Sequence, residues 1–168
     1  DTLILAGFTS QPVDPVLANA LGQALHAQMG QSPVLRIASE ENIRSTLALM
    51  GRAPATPLSP DVARDLCRRL GGKAVLAGTA GALGRRFFLT LRVTACADGE
   101  SLGAQYAESD TREGLLAALG PVSAKMRASL GESLASIRKL STPVEATTPS
   151  LEALDAYSLA LADKAVGQ

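Results

Sequence analysis

Residues 73–109 constrain the fold more than any other stretch: KAVLAGTAGALG, then RRFFLTLRVTACADG, then ESLGAQYAES. They read as a short apolar strand, a Gly-Arg turn, a longer alternating strand, an Asp-Gly turn and a third strand. Asp98-Gly99 between alternating runs is a strong hairpin signal. Hairpin-joined strands are antiparallel, so an all-parallel doubly wound sheet is excluded. The run 74–77 lacks polar alternation and is expected at the centre of the sheet. In the second strand Phe87, Leu89, Leu91, Val93 and Ala95 share one apolar face. Leu102, Ala104 and Tyr106 are expected to face the core from the third.

The chain before the meander supplies helices and strands to pack on it. Residues 2–8 read as a buried strand. Asp14-Pro15 opens a helix, a capping side chain followed by a proline whose missing N–H costs nothing there. That helix carries Val16, Leu17, Ala20, Leu21, Ala24, Leu25 and Met29 on one face. Residues 33–38 (PVLRIA) form a second short strand. Ser39 caps a second helix, with Glu40 and Glu41 favourably placed in its first turn and Ile43, Leu47 and Met50 as its apolar edge. After a Pro-rich loop, Ser59-Pro60-Asp61 starts a third helix with Val62, Ala63, Leu66 and Leu70 as its stripe, ended by Gly71-Gly72.

Beyond residue 110 the pattern is helical, with a kink or split expected at Gly120-Pro121. Residues 141–150 (STPVEATTPS) have linker composition. Residues 151–166 form an amphipathic helix whose apolar side needs a partner. The predicted fold is α/β (α+β), a mixed five-stranded sheet in the order β-α-β-α-α-β-β-β-α. It occupies 1–140, with a linker at 141–150 and a further helical unit at 151–168. The chain opens at Asp1 directly on TLILAGF, which reads as a segment of a larger protein.

Charge and composition narrow the function. Formal net charge is zero, so no whole-protein field favours nucleic acid or an anionic membrane. Aromatic residues make up 3% of the chain, with no Trp, which argues against base-stacking platforms for single strands. Arg64, Arg68, Arg69, Arg85 and Arg86 read as a solvated helix face and a turn. No run approaches the roughly 18 apolar residues of a membrane span, so this segment is not expected to insert into a bilayer directly.

No catalytic constellation emerges. Gly78, Gly81 and Gly84, followed by Arg85 and Arg86, suggest a phosphate loop. Such a loop, however, leads into a helix through Gly-Lys-Ser/Thr, and here the glycines lead into a strand. Close packing explains them better, which leaves Arg85 and Arg86 as weak ligand-binding candidates. His26, the single histidine, falls off its helix stripe toward solvent with no second ligand at metal spacing. Glu40/Glu41 and Glu108/Asp110 sit where helix starts place acidic residues. The sequence therefore predicts no enzyme, no cofactor and no metal.

Cys67 and Cys96 have two readings, a disulfide or two buried thiols. Strand parity places Cys96 with Thr90, Arg92 and Thr94, whereas Cys67, beside the apolar stripe of its helix, is expected across the sheet. On that arrangement a bulge before Asp98 would be needed to join them.

Two segments together carry a resemblance: LSPDVARDLCRRLGGKAVLAGTAGALGRRFFLTLRVTACADGESL and LGESLASIRKLSTPVEATTPSLEALDAYSLALADKA. They resemble the region that joins a cytoplasmic kinase or winged-helix domain to tetratricopeptide repeats in bacterial membrane-anchored signalling proteins. Residues 89–93 (LTLRV) ahead of an Asp-Gly turn also resemble the TolB amino-terminal domain family. The resemblance implies a non-enzymatic periplasmic sensor or adaptor domain, anchored through another part of a larger protein. It also implies protein partners, the parent's own repeats among them, with 151–168 as the first helix of a truncated repeat. The alternatives are a small-molecule or nucleotide site at the turn within 78–86, and a structural spacer or homodimerisation module using the 151–166 helix.

Overall fold

The computed structural model describes residues 2–12, 14–132 and 134–140, together with Ala156. The linker and terminal helix expected at 141–168 lie outside the described residues, Ala156 excepted. The elements are β1 (Thr2–Gln11), α1 (Pro15–Gly30), β2 (Arg36–Ile37), α2 (Glu40–Leu49), α3 (Pro60–Arg69), β3 (Ala74–Leu83), β4 (Arg86–Ala95), β5 (Ser101–Ser109), α4 (Gly114–Ser129) and α5 (Leu134–Leu140). The strands form one mixed sheet in the order β2-β1-β3-β4-β5. β1 pairs in parallel with β2 and β3, and β3, β4 and β5 form the antiparallel meander. The apolar β3 is the central strand, as its lack of alternation requires.

Helices cover the two faces unequally. On one face α1 and α4 bury Leu17, Leu21, Leu25, Leu115, Leu119 and Met126 against Leu76, Leu89, Leu91 and Val93. On the other, α2 and α3 form a smaller cluster of Leu47, Ala63 and Leu66 with Ile4 and Val75. Two helix starts are capped as their sequences imply, whereas Ser59 precedes Pro60 at the start of α3 without a side-chain cap hydrogen bond. Asp14 accepts a hydrogen bond from the Leu17 amide at 3.1 Å, and Ser39 accepts one from Asn42 at 3.2 Å.

Three expectations are corrected. Pro121 neither ends nor splits its helix: α4 runs through it. Pro121 and Ala117, whose carbonyl the proline leaves without a helical donor, both lie on the exposed side, where water can serve that carbonyl. The break comes instead between Ser129 and Leu134. Leu102, Ala104 and Tyr106 do not face the core: all three are exposed, Leu102 by 49% and Tyr106 by 56%. Gly103, Gln105 and Ala107 lie opposite Val93, Leu91 and Leu89 on the helix-covered side. These smaller side chains fit where α4 packs on β5 and supplies the bulk itself. Finally, Glu108 and Asp110 do not mark a helix start; Glu108 belongs to β5 and Asp110 follows it directly.

The glycines of β3 answer to packing. A Cβ on Gly78 would overlap the Phe8 ring, and one on Gly81 would meet the Phe88 ring and the Gln11 carbonyl. Gly78→Ala is therefore expected to lower the unfolding free energy by about 1–3 kcal/mol through overpacking. Denaturant titration reads this directly, and an unchanged midpoint would contradict it.

Candidate interaction surface

Because α2 and α3 stand over β1 and β3, the outer face of β4 and β5 has no helix against it among the described residues. Phe88, Thr90 and Arg92 of β4 lie opposite Glu108, Tyr106 and Ala104 of β5, and strand alternation turns all six toward this open side. Phe88 and Tyr106 stack, with ring centroids 6.4 Å apart and planes inclined by 21°. In a chain with few aromatic residues, two of them share an uncovered sheet face.

A polar chain borders the aromatic pair. The Tyr106 hydroxyl donates to Glu108 Oε1 at 2.6 Å, and Glu108 Oε2 receives Arg86 Nη1 at 2.6 Å. Arg86 Nε reaches Asp110 Oδ1 at 3.2 Å. The hydrogen bond to the Glu108 carboxylate raises the Tyr106 pKa, so the phenol stays a protonated donor. Arg92, on the same face, is exposed and makes no ion pair or hydrogen bond among the described residues.

The weak ligand candidates fall at the hairpin tip. Gly84 and Arg85 form the loop between Leu83 and Arg86, and strand continues on both sides. These glycines lead through the turn into β4 and not into a helix, as a phosphate loop would. Arg85 is exposed, while Arg86 is engaged by two carboxylates. Arg69, on α3, pairs with Asp65 at 3.5 Å. His26 is exposed on α1. Among the described residues no cluster of three or more metal-ligating side chains forms, and no helix is long and apolar enough to cross a membrane.

Cys67 and Cys96 form a disulfide. Parity did place Cys96 on the side of Thr90, Arg92 and Thr94. The mistaken step was the side assigned to α3, which packs on that same face and brings Cys67 over Cys96 in the second cluster. No bulge in β4 is needed. The register shift between β4 and β5 lies in β5, where Leu102 is skipped between Ser101 and Gly103.

Tyr106 is the surface residue that sequence reasoning misplaced. Its alternation with Leu102 and Ala104 looks like an inward apolar face. The available counter-signal was cross-strand, since pairing with the Thr90/Arg92 side of β4 puts Tyr106 among polar neighbours.

Solved structures share this architecture. The C-terminal domain of LpoB from Escherichia coli matches with a TM-score of 0.59 at 15% identity, covering 64% of this chain and 81% of that one. Lipoprotein GNA1162 from Neisseria meningitidis gives 0.52 at 15% identity, covering 79% and 98%. TolB from Acinetobacter baumannii gives 0.54 at 11% identity, covering 78% of this chain and 28% of TolB. The chain therefore has a TolB/LpoB-like fold. No family profile and no curated protein sequence matches it.

Proposed function

We propose that this chain is a non-enzymatic adaptor or sensor domain of the bacterial cell envelope, which docks a protein partner on the uncovered half of its sheet. The observation that carries this reading is the stacked Phe88–Tyr106 pair on a face that no helix covers among the described residues. Aromatic side chains with a polar tip are the residues that anchor protein interfaces. The same residues offer no nucleophile, base or metal set that would transform a ligand. An envelope location is supported by the Cys67–Cys96 disulfide, a bond that persists in oxidising compartments. The occurrence of the fold in a lipoprotein also supports it. Within a larger signalling protein, the domain would relay partner occupancy between the membrane-proximal segment and tetratricopeptide repeats that begin with the helix at 151–168.

The test is site-specific photo-crosslinking from Thr90 in the intact parent protein. A defined protein adduct is expected from Thr90 and none from His26, which is exposed on α1. Phe88→Ala/Tyr106→Ala is expected to abolish the adduct and the parent's output while costing only about 1–2 kcal/mol of stability. Equal adducts from both positions, or undiminished output in the double variant, would refute the docking surface.

A further inference from the structure

The sheet ends on two very different edges. β2 is two residues long and offers no template, whereas β5 runs from Ser101 to Ser109 with its outer side unpaired among the described residues. Natural edge strands are protected by lysine, proline, inward-pointing charge or brevity. β5 has none of these along 103–107, GAQYA, and its bulge at Leu102 disturbs only the start of the strand. The edge also presents Tyr106 and Leu102, the exposed large apolar side chains of this strand.

We propose that a second copy of this chain pairs with it through β5, antiparallel about a two-fold axis at Tyr106, to form a continuous ten-stranded sheet. The charge pattern is self-complementary in that register. Tyr106 stands against its counterpart, and Ala104 stands against Glu108 of the other copy. Arg92 lies directly behind Ala104 on β4, exposed and without a partner among the described residues. Alanine is too small to screen it, so the guanidinium reaches across toward the second copy's Glu108. The symmetry repeats this pair on the other side of the axis. Each free arginine thereby gains a carboxylate, and each unpaired edge gains a ladder of backbone hydrogen bonds. The two aromatic pairs become one patch across the axis. The proposal rests on the open face described above but concerns its edge.

Sedimentation of the full chain over a wide concentration range is expected to show a monomer–dimer equilibrium, weakened at least tenfold by Arg92→Glu, which sets like charges together across the axis. Tyr106→Cys provides a second measurement. The two native cysteines are bonded to each other, so the introduced thiol is the only one available to a short bismaleimide. Dimer crosslinking is expected from Tyr106→Cys and not from His26→Cys. A chain that stays monomeric at every concentration and fails to crosslink at position 106 overturns the proposal. So does a dimer indifferent to Arg92→Glu, which would be built on another surface. A monomer that still yields the Thr90 adduct defeats the dimer alone; a dimer with no such adduct defeats the adaptor reading alone.

Discussion

Glu132→Ala is expected to lower the unfolding free energy by about 3–5 kcal/mol, because it strips the counter-ion from a buried guanidinium. The Arg127 and Glu132 side chains are both fully withdrawn from solvent, joined by bonds of 2.6 Å from Nη2 and 2.8 Å from Nε of the arginine. Local backbone geometry sets up the pair. The Glu132 amide donates to the Arg127 carbonyl and the Gly131 amide to the Ala128 carbonyl, a Schellman closure of α4. It requires the left-handed Gly131, at φ +99°. Where such closures usually bring two apolar side chains together, this one brings two opposite charges. Arg127 Nη1 also reaches the Gln28 carbonyl of α1 at 3.4 Å, and Ser136 of α5 donates to Glu132 at 2.9 Å. The pair thus ties α5, the last described helix, to the core. Arg127→Met/Glu132→Leu is expected to recover most of the loss, since an apolar replacement leaves no stranded charge. A double variant as unstable as Glu132→Ala would refute that account.

The same pair fixes a pH response. Hydrogen bonds from Arg127 lower the Glu132 pKa from 4.5 to about 2, against the opposing effect of burial and with help from Ser32 and Ser136. A carboxylate depressed in the folded state contributes stability that is fully present above its unfolded pKa and is lost as pH falls through the folded one. The window therefore lies between about 4.5 and 2, and the linked contribution is about 3 kcal/mol. Denaturant titrations across that window should show wild type losing this increment while the double variant does not.

What the sequence made legible was whatever depends on neighbours along the chain. Caps at Asp14 and Ser39, the hairpin around Asp98-Gly99 and the apolar run of β3 declare themselves within a few residues, and together they specify a mixed five-stranded sheet. What depends on how layers stack was not legible. Nothing near Cys67 says on which face α3 will lie, and the sequence therefore leaves the disulfide undecided. Nothing within 101–109 says that α4 will supply the bulk under β5, and alternation alone points Tyr106 into the core. The Arg127–Glu132 pair is invisible in the sequence because a charged residue in a helical pattern reads as a surface residue; only the closure at Gly131 turns it inward. The open sheet face is a still larger-scale property, set by two helices that stop short of β4 and β5.

Reduction of the disulfide, or Cys67→Ser/Cys96→Ser, is expected to cost roughly 3–4 kcal/mol. That is the loop-closure entropy released when a cross-link spanning 29 residues is removed. The loss should not be uniform. α1 and α4 are held by the larger cluster, with Leu21, Leu25, Leu115 and Leu119 wholly buried against Leu76, Leu89 and Leu91. α2 and α3 rest on far fewer buried side chains, two of which are the cysteines themselves. Without the bond, that thinner layer loses its covalent tie to the sheet beyond β4, while the opposite layer keeps every contact. Hydrogen exchange should therefore show amides of α2 and α3 opening well before those of α1, α4 and the central strands. If protection instead fell equally on both faces, the sheet and its two layers would form a single cooperative unit, and the disulfide would act on the unfolded chain alone.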